Sequence, residues 1–220
     1  LVRVDLRNGE ELGVIAQNPQ SDVADQGEMV APEVLTNPTT NVIEAVLFEY
    51  ATPHWVFLDP KVEADFATIE REVAGSDGGD SPQHDGAGLW IDLISRDRAD
   101  GQWIIAARRS DSPAIYYTFD RKTKKVTPLY HEYPALDRFA FAPKRPVTIK
   151  ARDGLELVSY LTTPAGIEAK NLPLVLLIHG GPWYRDHNNY DPEGQFLATR
   201  GYAILQVNHR ESTGFGANSL

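Results

Sequence analysis

His179, Gly180 and Gly181 stand together where an apolar run, Leu174 to Ile178, breaks off. Residues of these types at the end of a strand suit one chemistry in particular. An acyl-transfer site must stabilise the negative oxygen of a tetrahedral intermediate, and backbone N–H groups aimed at that oxygen do so. Glycine serves there because a Cβ would block the close approach of backbone to the reacting carbonyl. Gly181 is the candidate donor, with Gly180 shaping the turn and His179 orienting the loop; a tight strand-to-helix turn with no catalytic part is the plainer alternative. Trp183, Tyr184 and Arg185 follow directly. They could line a substrate pocket, with Arg185 holding a carboxylate or a carbonyl. Aromatic packing and a solvated arginine are the plainer alternative.

The flanking pattern predicts the elements that position these residues. An unbroken apolar run suits a strand buried on both faces of a parallel sheet. A helix is predicted next, with Asp191 as N-cap and Pro192 at its first position. Phe196 and Leu197 would form its apolar face, and Gly201 would end it. A second run, Tyr202 to Val207, predicts the next strand, with an open sheet edge after it. Strand, glycine loop, helix and strand make an α/β unit, whose ligands sit at the carboxyl ends of the strands.

Over Leu172 to Gly216, the phrases H-G-G-P-W, D-P-E-G-Q-F-L-A-T-R-G-Y-A-I-L-Q-V-N and R-E-S-T-G-F-G occur together. In that joint pattern the chain resembles the catalytic domain of the prolyl oligopeptidase family of serine peptidases. It is most similar to the acylaminoacyl-peptidase and dipeptidyl-peptidase-like branches. Two departures fall in the loop after the second strand: Glu211, where relatives often carry glycine, and His209, where an aromatic is usual. The resemblance implies an α/β-hydrolase domain preceded by a β-propeller. It also implies a serine nucleophile, an acid and a base that all lie beyond Leu220.

Other candidates carry less. Ser212 lacks the Gly-x-Ser-x-Gly setting of a nucleophile elbow, having Arg210 two positions before it. A triad of Ser212, His179 and Asp186 is therefore set aside. His179, Asp186 and His187 lack the His-x-His pair that a metallo-hydrolase site needs, so no metal or cofactor is expected. His54, His84 and His131 are isolated and read as surface or packing residues.

The preceding chain reads as short strands with polar turns. Asn8-Gly9 predicts a hairpin turn, and residues 18 to 40 read as loop. Val42–Tyr50 predicts a strand. Asp59-Pro60 opens a helix whose Val62, Phe66, Ile69 and Val73 fall on one stripe, the rest being a solvated acidic face. After a Gly-rich stretch to Gly88, strands are predicted at Leu89–Ile94, Trp103–Ala107, Ile115–Asp120 and Val126–Tyr130. Four such strands suit a propeller blade; blades of about 40–50 residues allow two to three in residues 1–146. Pro143–Pro146 reads as a linker. Val147–Lys150 and Leu155–Thr162 form a hairpin through Asp153-Gly154, with Leu155, Leu157 and Leu161 on one face.

The formal net charge of −10 argues against nucleic acid and anionic membrane surfaces as partners. Residues 1–146 hold 15 Lys and Arg against 24 Asp and Glu, and residues 147–220 hold 6 against 7, an asymmetry that fits two domains. The chain has no cysteine, which excludes disulfides and thiolate chemistry without deciding the compartment. It begins at Leu1 within a strand-like run and ends at Leu220 within a loop, and so reads as an internal fragment.

The expected fold is mixed: C-terminal blades of a β-propeller over 1–146, then the N-terminal part of an α/β-hydrolase domain over 147–220. The expected function is that of a serine peptidase acting on short peptides. The fragment would supply the oxyanion loop, be inactive alone and need the remainder of its own hydrolase domain, roughly 200 further residues. An oligomer is compatible with this reading. An esterase-like hydrolase and a non-enzymatic propeller binding module are the alternatives.

Overall fold

The computed structural model describes residues 1–23, 33–76, 88–181 and 183–216. Within the motif Pro182 lies outside the described residues, as does His84 among the isolated histidines. The described strands form four open sheets.

β1 (Val2–Val4) and β2 (Glu11–Val14) pair as an antiparallel ribbon. Gly9 closes it at φ +75°, its N–H donating to Asp5 O at 2.8 Å. β3 (Val34–Thr36), β4 (Ile43–Glu49) and β5 (Pro53–Phe57) form an antiparallel meander. β3 falls inside the stretch expected to be loop. α1 (Pro60–Ser76) follows. β6 (Trp90–Arg96), β7 (Gln102–Arg108), β8 (Ile115–Asp120) and β9 (Lys125–His131) form a four-stranded meander in chain order.

The apolar stripe of α1 joins these two meanders into one core. Val62, Phe66, Ile69 and Val73 are each no more than 1% exposed. Phe66 lies 5.0 Å from the ring of Phe57, 5.7 Å from Trp55 and 6.0 Å from Trp103. Burying one such side chain contributes about 1.5–3 kcal/mol. The rest of α1 is not uniformly solvated as expected. Asp65 is 1% exposed, pairing with Arg121 at 2.8 Å and with Lys124.

The fourth sheet holds β10 (Lys144–Lys150), β11 (Glu156–Thr162), β12 (Leu174–Leu177) and β13 (Ala203–Val207), in the order β10-β11-β13-β12. β12 and β13 are parallel, and the other pairs are antiparallel. α2 (Pro192–Ala198) makes the parallel crossover. Its N-cap is as expected: Asp191 Oδ1 accepts from Glu193 N at 3.0 Å.

Several expectations about this sheet need correcting. Pro143–Pro146 is not a linker. β10 starts at Lys144, which is 1% exposed, and an edge strand tolerates Pro146 because one side of its backbone needs no ladder partner. On β11 the buried face carries Val158, Tyr160 and Thr162; Leu157 and Leu161 are only half-buried. The Tyr160 hydroxyl reaches Ala51 O at 3.1 Å, fixing that face inward.

β12 is not covered on both faces: Leu174 is 58% exposed and Leu176 52%. Nor is the open edge at β13, which lies inside the sheet; the edges are β10 and β12. On α2, Phe196 is 56% exposed while Gln195 and Ala198 are buried. Gln195 sets this rotation by gripping the Ala142 backbone, accepting from its N–H at 2.8 Å and donating to its carbonyl at 2.7 Å.

Candidate active site

β12 runs into Ile178 and His179, and the chain turns through Gly180 and Gly181 at the carboxyl end of the sheet. Gly181 has φ +150°, a conformation L side chains rarely adopt. A Cβ there would stand 3.0 Å from Trp183 N and 3.5 Å from Tyr184 N. A side chain there is strained and makes the following backbone give way.

His179 is fastened on both ring nitrogens. Nδ1 lies 2.8 Å from Gly180 O, and Nε2 lies 2.9 Å from Ser212 Oγ. Its ring stacks on His209 at 4.4 Å and lies 5.8 Å from the Tyr184 ring. Ser212 sits on the loop after β13, and the neighbouring Thr213 N–H donates to Tyr184 O at 3.1 Å. The turn into Ser212 passes through Glu211 at φ +69°. There the substituted glycine position keeps a backbone that glycine would adopt freely.

The aromatic and charged residues that follow the loop part company. Trp183 is 76% exposed and Tyr184 half-buried. Arg185, expected beside a substrate or in solvent, turns inward and is 1% exposed. It does hold carbonyls, but those of its own chain: Nη1 donates to Glu49 O at 2.8 Å and Nη2 to Tyr50 O at 2.9 Å. Its guanidinium lies 4.2 Å from the Phe215 ring.

Next to it, His187 Nδ1 meets Glu49 Oε2 at 2.9 Å. Burial alone would push the Glu49 carboxyl up. The hydrogen bond and charge of His187, with Arg185 and the Asn188 backbone, outweigh burial and hold it below its ordinary value. Lys144 donates to His187 O at 3.2 Å, and burial pushes its ammonium pKa down against the pull of Asp191, Asp186 and Glu49.

A cleft of about 440 Å³ opens beside the loop, lined by His179, Gly180, Tyr184, Asp186, Tyr190 and Gln206 among others. Asp186 is fixed by residues that the sequence did not single out. Asn208 accepts from Asp186 N at 2.7 Å, and Gln206 donates to Asp186 Oδ1 at 2.9 Å. Burial pushes the Asp186 carboxyl up, partly offset by His179 and Lys144. Gln206 lies near the carboxyl end of β13 and Asn208 just beyond it, and that placement was the one available signal for them.

Ser212 and His179 thus meet like the nucleophile and base of a triad. The third link is different: the second nitrogen of His179 faces Gly180 O, and Asp186 Oδ1 is engaged by Gln206. Ser212 is also 1% exposed. Among the described residues no group of three or more His, Asp or Glu side chains could hold a metal ion. No described helix is long and apolar enough to cross a membrane.

No protein-family model matches the sequence. The chain is 34% identical over 223 residues to dipeptidyl aminopeptidase BIII of Pseudoxanthomonas mexicana, covering 98% of this chain and 29% of that protein. It is 25% identical over 205 residues to dipeptidyl peptidase family member 6 of Caenorhabditis elegans, covering 83% and 26% respectively. The chain therefore spans less than a third of the length of these relatives. Among solved structures, puromycin hydrolase superposes with a TM-score of 0.61 at 20% identity, over 99% of this chain and 31% of that one. The acylaminoacyl peptidase of Pyrococcus horikoshii gives a TM-score of 0.55 at 20% identity, over 96% and 28%. Joined to the glycine turn at the end of β12, these likenesses place the chain in the prolyl oligopeptidase, or S9, family of serine peptidases.

Proposed function

We propose that this chain is part of a serine peptidase that hydrolyses short peptides through an acyl-serine intermediate. In this reading residues 147–220 are the N-terminal part of an α/β-hydrolase domain, and residues 1–146 are part of a β-propeller of about two to three blades. His179, Gly180 and Gly181 form the oxyanion loop. Trp183 and Tyr184 line the approach of the substrate, and Arg185 braces the loop from beneath. The nucleophile, acid and base are supplied by chain outside residues 1–220.

The observation that carries this reading is the conformation of Gly181. A turn in which a side chain would be strained and crowded, at the carboxyl end of a parallel strand, suits a main-chain N–H that must come close to a reacting carbonyl. When a serine attacks a peptide carbonyl, the oxygen gains charge as the C–O double bond opens. A fixed N–H at hydrogen-bond distance from that oxygen stabilises the transition state more than the ground state. Collapse of the intermediate expels the amine and leaves the acyl-enzyme, which water then hydrolyses past the same donor.

The test compares the 220-residue chain with the full-length gene product. Each is assayed on a dipeptidyl p-nitroanilide and labelled with a fluorophosphonate. Turnover and labelling are expected from the full-length protein alone. Labelling of Ser212 with turnover by the short chain, or no hydrolysis by the full-length protein, would overturn the proposal.

A further inference from the structure

We infer that Ser212 is a positioning residue for the oxyanion donor, acting through His179; the inference rests on the peptidase reading above. A carbonyl oxygen only accepts, so the 2.8 Å contact with Gly180 O requires the proton of His179 on Nδ1. In the neutral imidazole Nε2 then carries a lone pair. It takes the hydroxyl proton of Ser212 at 2.9 Å.

This chain of contacts ends on the donor itself. Gly180 O and Gly181 N–H are the two ends of one planar trans peptide, so they point in opposite directions. Holding the Gly180 carbonyl toward the imidazole aims the Gly181 N–H away from it. Glycine has little intrinsic preference among backbone states, and two in succession leave this peptide free to rotate. A rotated peptide would present a carbonyl to the developing negative charge. His179 opposes that rotation, and Ser212 fixes the ring of His179.

The positioning group is itself well anchored. Ser212 is 1% exposed, its N–H donates to His209 O at 3.1 Å, and Thr213 N–H ties the same loop to Tyr184 O at 3.1 Å. His209 stacks on the His179 ring at 4.4 Å and an interplanar angle of 20°. The loop after β13 thus reaches the glycine turn by a side-chain bond, a backbone bond and a ring stack.

The experiment uses the full-length enzyme with S212A, the near-isosteric poor donor S212C, and S212T, which keeps a hydroxyl. Active sites are titrated with a fluorophosphonate, so that loss of folded protein does not count as loss of rate. For S212A and S212C, kcat per titrated site on a dipeptidyl p-nitroanilide is expected to fall about 10- to 100-fold. KM should stay within about twofold, because the ground-state carbonyl depends little on an aimed donor. Affinity for a peptide aldehyde, which forms a tetrahedral adduct, should fall in parallel with kcat, and S212T should recover most of the rate. Should S212A fold poorly, S212C against S212T carries the comparison. A kcat within twofold of wild type in S212C, or losses that S212T shares equally, would overturn the inference. A wild-type enzyme without peptidase activity would overturn the peptidase reading instead.

Discussion

Replacing Arg185 by methionine tests how the glycine turn is braced. Arg185 donates to the carbonyls of Glu49 and Tyr50 at 2.8 and 2.9 Å, and it is 1% exposed. A hydrogen bond from a charged donor contributes about 1.5–3 kcal/mol, and leaving a buried acceptor unpaired costs about as much. Two such losses come to about 3–6 kcal/mol. Methionine keeps contact with Phe215 and buries apolar surface, which offsets about 1–2 kcal/mol. R185M should therefore be less stable by about 3 kcal/mol. For a chain of this size that is a Tm lower by about 6–12 °C. Urea denaturation followed by tryptophan fluorescence measures it directly. R185K, which can reach one carbonyl and not both, should fall roughly midway. An R185M protein within about 0.5 kcal/mol of wild type would refute the brace, since it would mean that both carbonyls find water as readily as arginine.

Two further predictions concern stability. Glu211 holds φ +69°, and a non-glycine residue in that region is strained by about 1–2 kcal/mol. Glycine removes the strain but gains unfolded-state freedom of about 0.4–1 kcal/mol, so E211G should raise stability by about 0.5 kcal/mol in urea denaturation; a clear loss would contradict the strain. The folded pKa of Glu49 lies below its ordinary 4.5. The unfolded chain therefore binds its proton first as pH falls, and the stability Glu49 contributes above pH 4.5 is lost on the way down through the folded pKa. Melts across this window should show the acid loss in wild type, and it should be smaller in E49Q.

How much of this was legible from sequence differs from element to element. Val62, Phe66, Ile69 and Val73 announced α1 because four apolar residues at helical spacing have few other uses, and all four are buried. Asp191 and Pro192 announced α2, but its rotation is set by Gln195 gripping Ala142, a contact between residues far apart that no local pattern carries. The apolar run at Leu174 identified β12 without saying which faces the described chain covers. β5 was missed because it is short, starts with a proline, and follows β4 with little turn signal between them.

At the site, the glycine doublet could be read because its backbone demand is local. The inward turn of Arg185 could not, since its partners Glu49 and Tyr50 lie 136 and 135 residues earlier. Ser212 was noticed as a possible nucleophile. Its pairing with His179 was considered only as part of a triad and set aside; the loop after β13, folding back over the glycine turn, brings the two together at 2.9 Å while Asp186 Oδ1 is engaged by Gln206.

The most direct measurement is kcat of the G181A variant of the full-length enzyme, per phosphonate-titrated site. A Cβ there meets Trp183 N at 3.0 Å and the backbone stands at φ +150°, so the turn must shift and carry its N–H with it. kcat should fall by at least about 100-fold, with KM changed by no more than a few-fold. A G181A enzyme that folds and turns over at the wild-type kcat would contradict the assignment of this glycine as the oxyanion donor.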